Sequence, residues 1–116
     1  MNQKNTNWAD RIRSELSKAE QARIEGNEGM ARVCARRAAG IAAGEYLRRR
    51  NLLSHPLSAY ELLKYLQSLP DISPNIREVA GHFLLRITKD HTLPVEADLI
   101  AEARWLAREL LDPPHP

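Results

Sequence analysis

Aromatic side chains make up only 5% of this 116-residue chain. So thin a supply argues against a reading that depends on platforms of stacked bases. There is one cysteine, Cys34, so an internal disulfide is excluded. That usage fits a reducing compartment. No run of about 18 apolar residues is present, which excludes a helical membrane span. The opening MNQKNTNWAD lacks the apolar stretch of a secretory signal. The expected location is therefore cytoplasmic, with no membrane partner. Neither charge sign dominates: the formal net charge is +2, so the molecule as a whole is no polycation. No segment alternates apolar and polar residues for long enough to form a strand. There is no glycine-rich phosphate loop, no Cys/His cluster at zinc spacing and no His-Glu-x-x-His segment, so neither cofactor nor metal is expected.

What is there is ordinary for a globular protein, with 43% hydrophobic and 28% charged residues. The length suits one domain over 1–116, with an ordered core at about 7–111. The stretch from Asn27 to Arg50 organises the rest. It reads as one helix of about 23 residues, on the order of 35 Å long. Ala38, Ala39, Gly40, Ala42, Ala43 and Gly44 crowd its second half. So little side chain lets a neighbouring backbone come close, which places this helix at the centre of a bundle. The same small-residue face could also receive a second copy of the chain, giving a homodimer. Met30, Val33, Cys34, Ala38, Ile41, Ala42 and Glu45 are expected on one side of this helix.

Four more helices follow from local signals. The first is expected to start after Asn7 as cap and run to about Ile24. Its apolar set is Trp8, Ile12, Leu16, Ala19, Ala22 and Ile24, most of them on one face by steps of three and four. Gly26 stops it and Asn27 caps the long helix. Ser58 with Glu61 three residues on forms a capping box, flanked by Leu57 and Leu62 as a hydrophobic staple. The helix it opens should bury Leu62, Leu63, Leu66 and Leu69 before Pro70 ends it. Ser73-Pro74 opens a fourth helix, with Ile76, Val79, Ala80, Phe83 and Ile87 as its buried face. Leu93-Pro94 introduces a fifth, expected from about Val95 to Leu111. Short connections favour a mostly antiparallel arrangement. The fold class is all-α: a five-helix, mostly antiparallel bundle with one long central helix.

This pattern resembles the HEPN superfamily of small helical domains over roughly residues 8–111. WADRIRSELSKAEQARIEGN is similar to the family's first helix and ARVCARRAAGIAAGEYLRRR to its second. SHPLSAYELLKYLQSLPDISPNIREVAGHFLLRI resembles the next two, and EADLIAEARWLARELL the closing one. The resemblance implies either metal-independent RNA cleavage by an arginine–histidine pair, or a non-catalytic binding domain. Such a domain would serve a partner protein such as a small nucleotidyltransferase. Two segments carry the pair's spacing: Arg77 with His82, and Arg86 with His91. In such a pair histidine would move the proton and arginine would steady charge on phosphate.

Periodicity offers a different reading of the same residues. Residues five apart on a helix stand about 140° apart, so Arg77 and His82 do not share a face. Glu78, His82 and Arg86 form a row at steps of four. A third set, Arg32, Arg36, Arg37, Arg48, Arg49 and Arg50 on the long helix, is suited to phosphate binding. The last three also oppose the negative end of the helix dipole, which is reason enough for their presence. The leading expectation is a non-enzymatic helical protein-interaction or binding module of HEPN-like type, homodimeric by its small-residue face. A ribonuclease and a nucleic-acid binder are the alternatives.

Overall fold

A computed structural model describes residues 7–86, 93 and 95–111. These form five α-helices, and no strand occurs among the described residues: α1 (Trp8–Ile24), α2 (Glu28–Arg49), α3 (Ala59–Ser68), α4 (Pro74–His82) and α5 (Leu99–Leu111). Among the described residues no helix is long and apolar enough to cross a membrane.

Each start has a side-chain acceptor. The Asn7 side chain accepts from the Asp10 N–H at 3.1 Å, and that of Asn27 from Met30 N–H at 3.1 Å. Ser58 and Glu61 complete their capping box, each accepting from the other's main-chain N–H. Ser73 accepts from Ile76 N–H, with Pro74 at the first helical position. The stops of α1 and α2 are alike. Gly26, at φ +79°, lets its own N–H reach the Arg23 carbonyl while Asn27 N–H reaches that of Ala22. Asn51, at φ +58°, plays the same part after α2, with its N–H on Arg48 and that of Leu52 on Leu47. Asparagine tolerates this left-handed conformation better than most side chains do.

Two boundaries differ from the sequence expectation. α4 ends at His82 rather than carrying its buried face to Ile87, which lies outside the described residues. The N–H groups of Phe83 and Leu84 turn back to the carbonyls of Ala80 and Gly81, tightening the last turn until it cannot continue. α5 starts at Leu99, four residues after Val95. Asp98 sets that start, its carboxylate accepting from the N–H groups of Ile100 and Ala101 and its carbonyl from that of Glu102. Val95 is left outside the helix and 38% exposed.

The core joins all five helices. Ile12, Leu16, Ala19 and Ala22 of α1 are buried as their spacing predicts, while Ile24 is turned outwards. α2 packs against α1, α3 and α5. It therefore buries Ala31, Cys34, Ala35, Ala38, Ala39, Gly40, Ala42, Ala43 and Leu47, which lie on several sides of the helix. Met30, expected on the same side as Cys34 and Ala38, is 46% exposed. At Gly40 a Cβ atom would stand 2.6 Å from Ala59 Cβ and 2.8 Å from Ala59 Cα. Only glycine lets the start of α3 come so near. The alanine face that sequence offered to a second copy is thus covered from within the chain.

Candidate functional site

The lower turns of α2 and the upper turns line two different clefts. The first has a volume of about 540 Å³. Gly26 to Gly29, Arg32, Val33 and Arg36 form one wall, and His82, Phe83, Leu85, Leu93 and Leu99 form the other. The second, of about 380 Å³, lies among Trp8, Arg11 and Glu15 of α1, the stretch of α2 from Arg37 to Arg48, and Leu53, Leu57, Ala59 and Leu62. Both have an apolar floor with arginines at the edge.

In the first cleft His82 has a carboxylate on each side of its ring. Its Nδ1 lies 2.7 Å from Glu102 Oε1 on α5, and its Nε2 is 3.9 Å from Glu78 Oε2 one turn back on α4. The His82 and Glu102 side chains are 19% and 24% exposed, so a half-buried carboxylate fixes the ring against α5. The Glu78–His82 part of the row read from sequence is present. Arg86 lies beyond the end of α4, exposed, and His91 falls outside the described residues.

Arg77 turns to another task. Its guanidinium donates to the carbonyls of Gln67, Leu69 and Ile72 at 3.2–3.3 Å, while Gln67 Nε2 donates back to the Arg77 carbonyl. These are the carbonyls that the end of α3 and the turn after it leave without helical partners. Arg77 thereby ties α4 to α3, and it and His82 are engaged with different neighbours.

The six arginines of α2 and its end also divide. Arg48 binds Glu45 through two nitrogens, at 2.9 and 2.7 Å, and Arg49 Nε donates to the same carboxylate at 3.0 Å. Arg49 also reaches the Leu111 carbonyl at 3.4 Å and lies over the Trp8 ring, 5.3 Å from its centroid. Arg50 donates to Tyr46 Oη and to Asp71 Oδ2. The Arg48 hydrogen bonds hold Glu45 below the usual carboxylate range, with burial opposing and Arg49 reinforcing them. The terminal cluster is therefore largely neutralised on the spot. Arg36 and Arg37, by contrast, form no ion pair or side-chain hydrogen bond among the described residues, and neither does the Arg11 side chain. Arg32 and Arg36 face the first cleft, Arg37 and Arg11 the second.

Sequence reasoning missed Glu102 and Arg11. Glu102 gives no local signal, since α5 is brought to His82 by the fold. Arg11 had one: Trp8, Arg11 and Glu15 follow at steps of three and four, which puts them on one side of α1. Among the described residues no group of three or more His, Cys, Asp or Glu side chains is placed to hold a metal ion. No family model, curated protein or solved structure matches the chain.

Proposed function

We propose that this protein is a non-enzymatic helical protein-interaction module of the HEPN-like type, an antiparallel bundle with α2 at its centre. Five helices in this order, a 22-residue α2 and its packing against α1, α3 and α5 support that architecture. The buried, unpaired Cys34 thiol is in keeping with a cytoplasmic setting. The partner docks in the first cleft through a segment that carries both acidic and large apolar side chains. One observation carries this reading: Arg36 stands without a carboxylate beside a floor of Val33, Phe83, Leu93 and Leu99. Apolar side chains of the partner gain burial there, and its carboxylates meet the Arg36 guanidinium. Where the partner is a second copy of the chain, the outward-facing Ile24 and Met30 replace the covered alanine face as its contacts.

The test is a selection of random displayed peptides on the wild-type protein, counter-screened on Arg36→Glu. Enriched peptides should pair Asp or Glu with Leu, Ile or Phe and should lose binding to the variant. Peptides without acidic residues, or equal binding to Arg36→Glu, would overturn the reading. The same protein incubated with RNA in chelator tests the alternative. Cleavage that disappears in His82→Ala would put a ribonuclease in place of the binding module.

A further inference from the structure

We propose that the second cleft binds a single-chain aliphatic carboxylate, its head on Arg11 and Arg37 and its chain on the floor between α2 and α3. This rests on a different set of residues from the docking surface above.

The charge in the cleft is unbalanced in a definite way. Five charged side chains line it: Arg11, Arg37, Arg48, Glu15 and Glu45. Glu45 is held by Arg48 and, from outside the cleft, by Arg49. Glu15 has Lys18 at 3.9 Å, and its Oε1 is shut off from solvent with no hydrogen-bond partner. Arg11 and Arg37 remain, with two guanidinium groups and no carboxylate within ion-pair distance. A guanidinium presents parallel N–H donors that match a carboxylate, and neither Arg11 nor Arg37 is paired with one.

The floor selects what the carboxylate is attached to. Ile41, Leu53, Leu57 and Leu62 line it. Gly44 adds no side chain to this floor, and Leu62 packs close beside it, 3.3 Å from where a Cβ would stand. A sugar–phosphate chain would leave polar groups against this surface without partners, whereas an alkyl chain would not. The volume of about 380 Å³ lies at the small end of ligand pockets and suits one chain rather than a polypeptide segment.

Glu15 supplies a test of sign. It sits four residues from Arg11 on the same side of α1 without pairing with it, so its negative charge opposes any incoming carboxylate at that edge. Titration calorimetry of the full chain with octanoate, below the concentration at which it self-associates, should show saturable binding. Acetate, octan-1-ol and octylamine should each bind at least about tenfold more weakly, because each lacks the chain or the anion. Arg37→Gln should weaken octanoate by about tenfold, and Arg37→Lys should restore part of the loss. Glu15→Gln should tighten it. All three variants alter partly exposed side chains, and circular dichroism checks that each is folded. Absence of saturable octanoate binding overturns the proposal, as does octan-1-ol binding equally well. A Glu15→Gln variant that binds more weakly overturns it too, and so does binding to anionic phospholipid vesicles without binding to octanoate.

Discussion

Adding one methyl group at Gly40 should destabilise this protein more than the same change at either other glycine of α2. Alanine is the better helix former by about 1 kcal/mol in a helix interior, so Gly40→Ala starts with that advantage. Against it stands the new Cβ, 2.6 Å from Ala59 Cβ and 2.8 Å from Ala59 Cα. The second contact is with main chain, so no rotamer change relieves it and the start of α3 must move. Overpacking of this kind costs about 1–3 kcal/mol, and a main-chain obstacle belongs at the upper end. A cost of about 3 less a gain of about 1 leaves about 2 kcal/mol of destabilisation. At roughly 4 °C per kcal/mol for a domain of this size, Tm should fall by about 8 °C. Gly29 is the control, because a Cβ there meets only the Asn27 side chain at 3.9 Å. Gly29→Ala should be neutral or slightly stabilising. Gly44→Ala should fall between, since Leu62 Cδ1 at 3.3 Å is the end of a side chain that can give way. Urea denaturation followed by circular dichroism orders the three. Ala59→Gly added to Gly40→Ala should recover part of the loss, because it removes the closer contact and leaves the Cα. Equal stability of Gly40→Ala and Gly29→Ala would refute the close approach of α2 and α3.

Arg77→Met should lower the unfolding free energy by about 2 kcal/mol, because three carbonyls lose a charged donor; a urea midpoint unchanged from wild type would show that Arg77 does not hold α3 to α4. Stability should also fall in acid. Hydrogen bonds from Arg23 hold Glu28 below its ordinary value of 4.5, and those from Arg48 do the same for Glu45. A carboxyl group depressed in the folded state contributes fully above its unfolded value and loses that contribution as pH falls through the folded one. The urea midpoint should therefore be level from pH 7 to about 5 and drop below about 4.5, with a shallower drop in Glu45→Gln. A midpoint that rises on acidification would contradict both pairings.

Sequence revealed those parts of the fold whose cause lies within a few residues. The capping box of Ser58 and Glu61 and the caps Asn7, Asn27 and Ser73 all act on N–H groups three positions away. The start of α5 was local as well, but two signals competed for it. Leu93-Pro94 looked like an entry, while Asp98, placed directly before Leu99, makes the hydrogen bonds. The buried positions of α1 were legible because it has one covered side. Those of α2 were not, because three helices cover it and a single apolar stripe is the wrong template.

The same distinction decides which arginines matter. Arg48 and Arg49 meet Glu45 three and four residues back, a pairing that helical spacing alone implies. Arg50 finds Asp71 and Arg77 finds the end of α3 only once the chain has folded. Six arginines on one helix and its end look like a single basic surface in sequence. In the folded chain the last three share two carboxylates, Glu45 and Asp71, and Arg36 and Arg37 face two apolar clefts. A polyanion needs a row of unmatched cations, whereas these two stand over separate apolar floors. That arrangement favours small acidic groups carried on apolar bodies over an extended phosphate backbone, and it is why both proposals pair an anion with a hydrophobic chain.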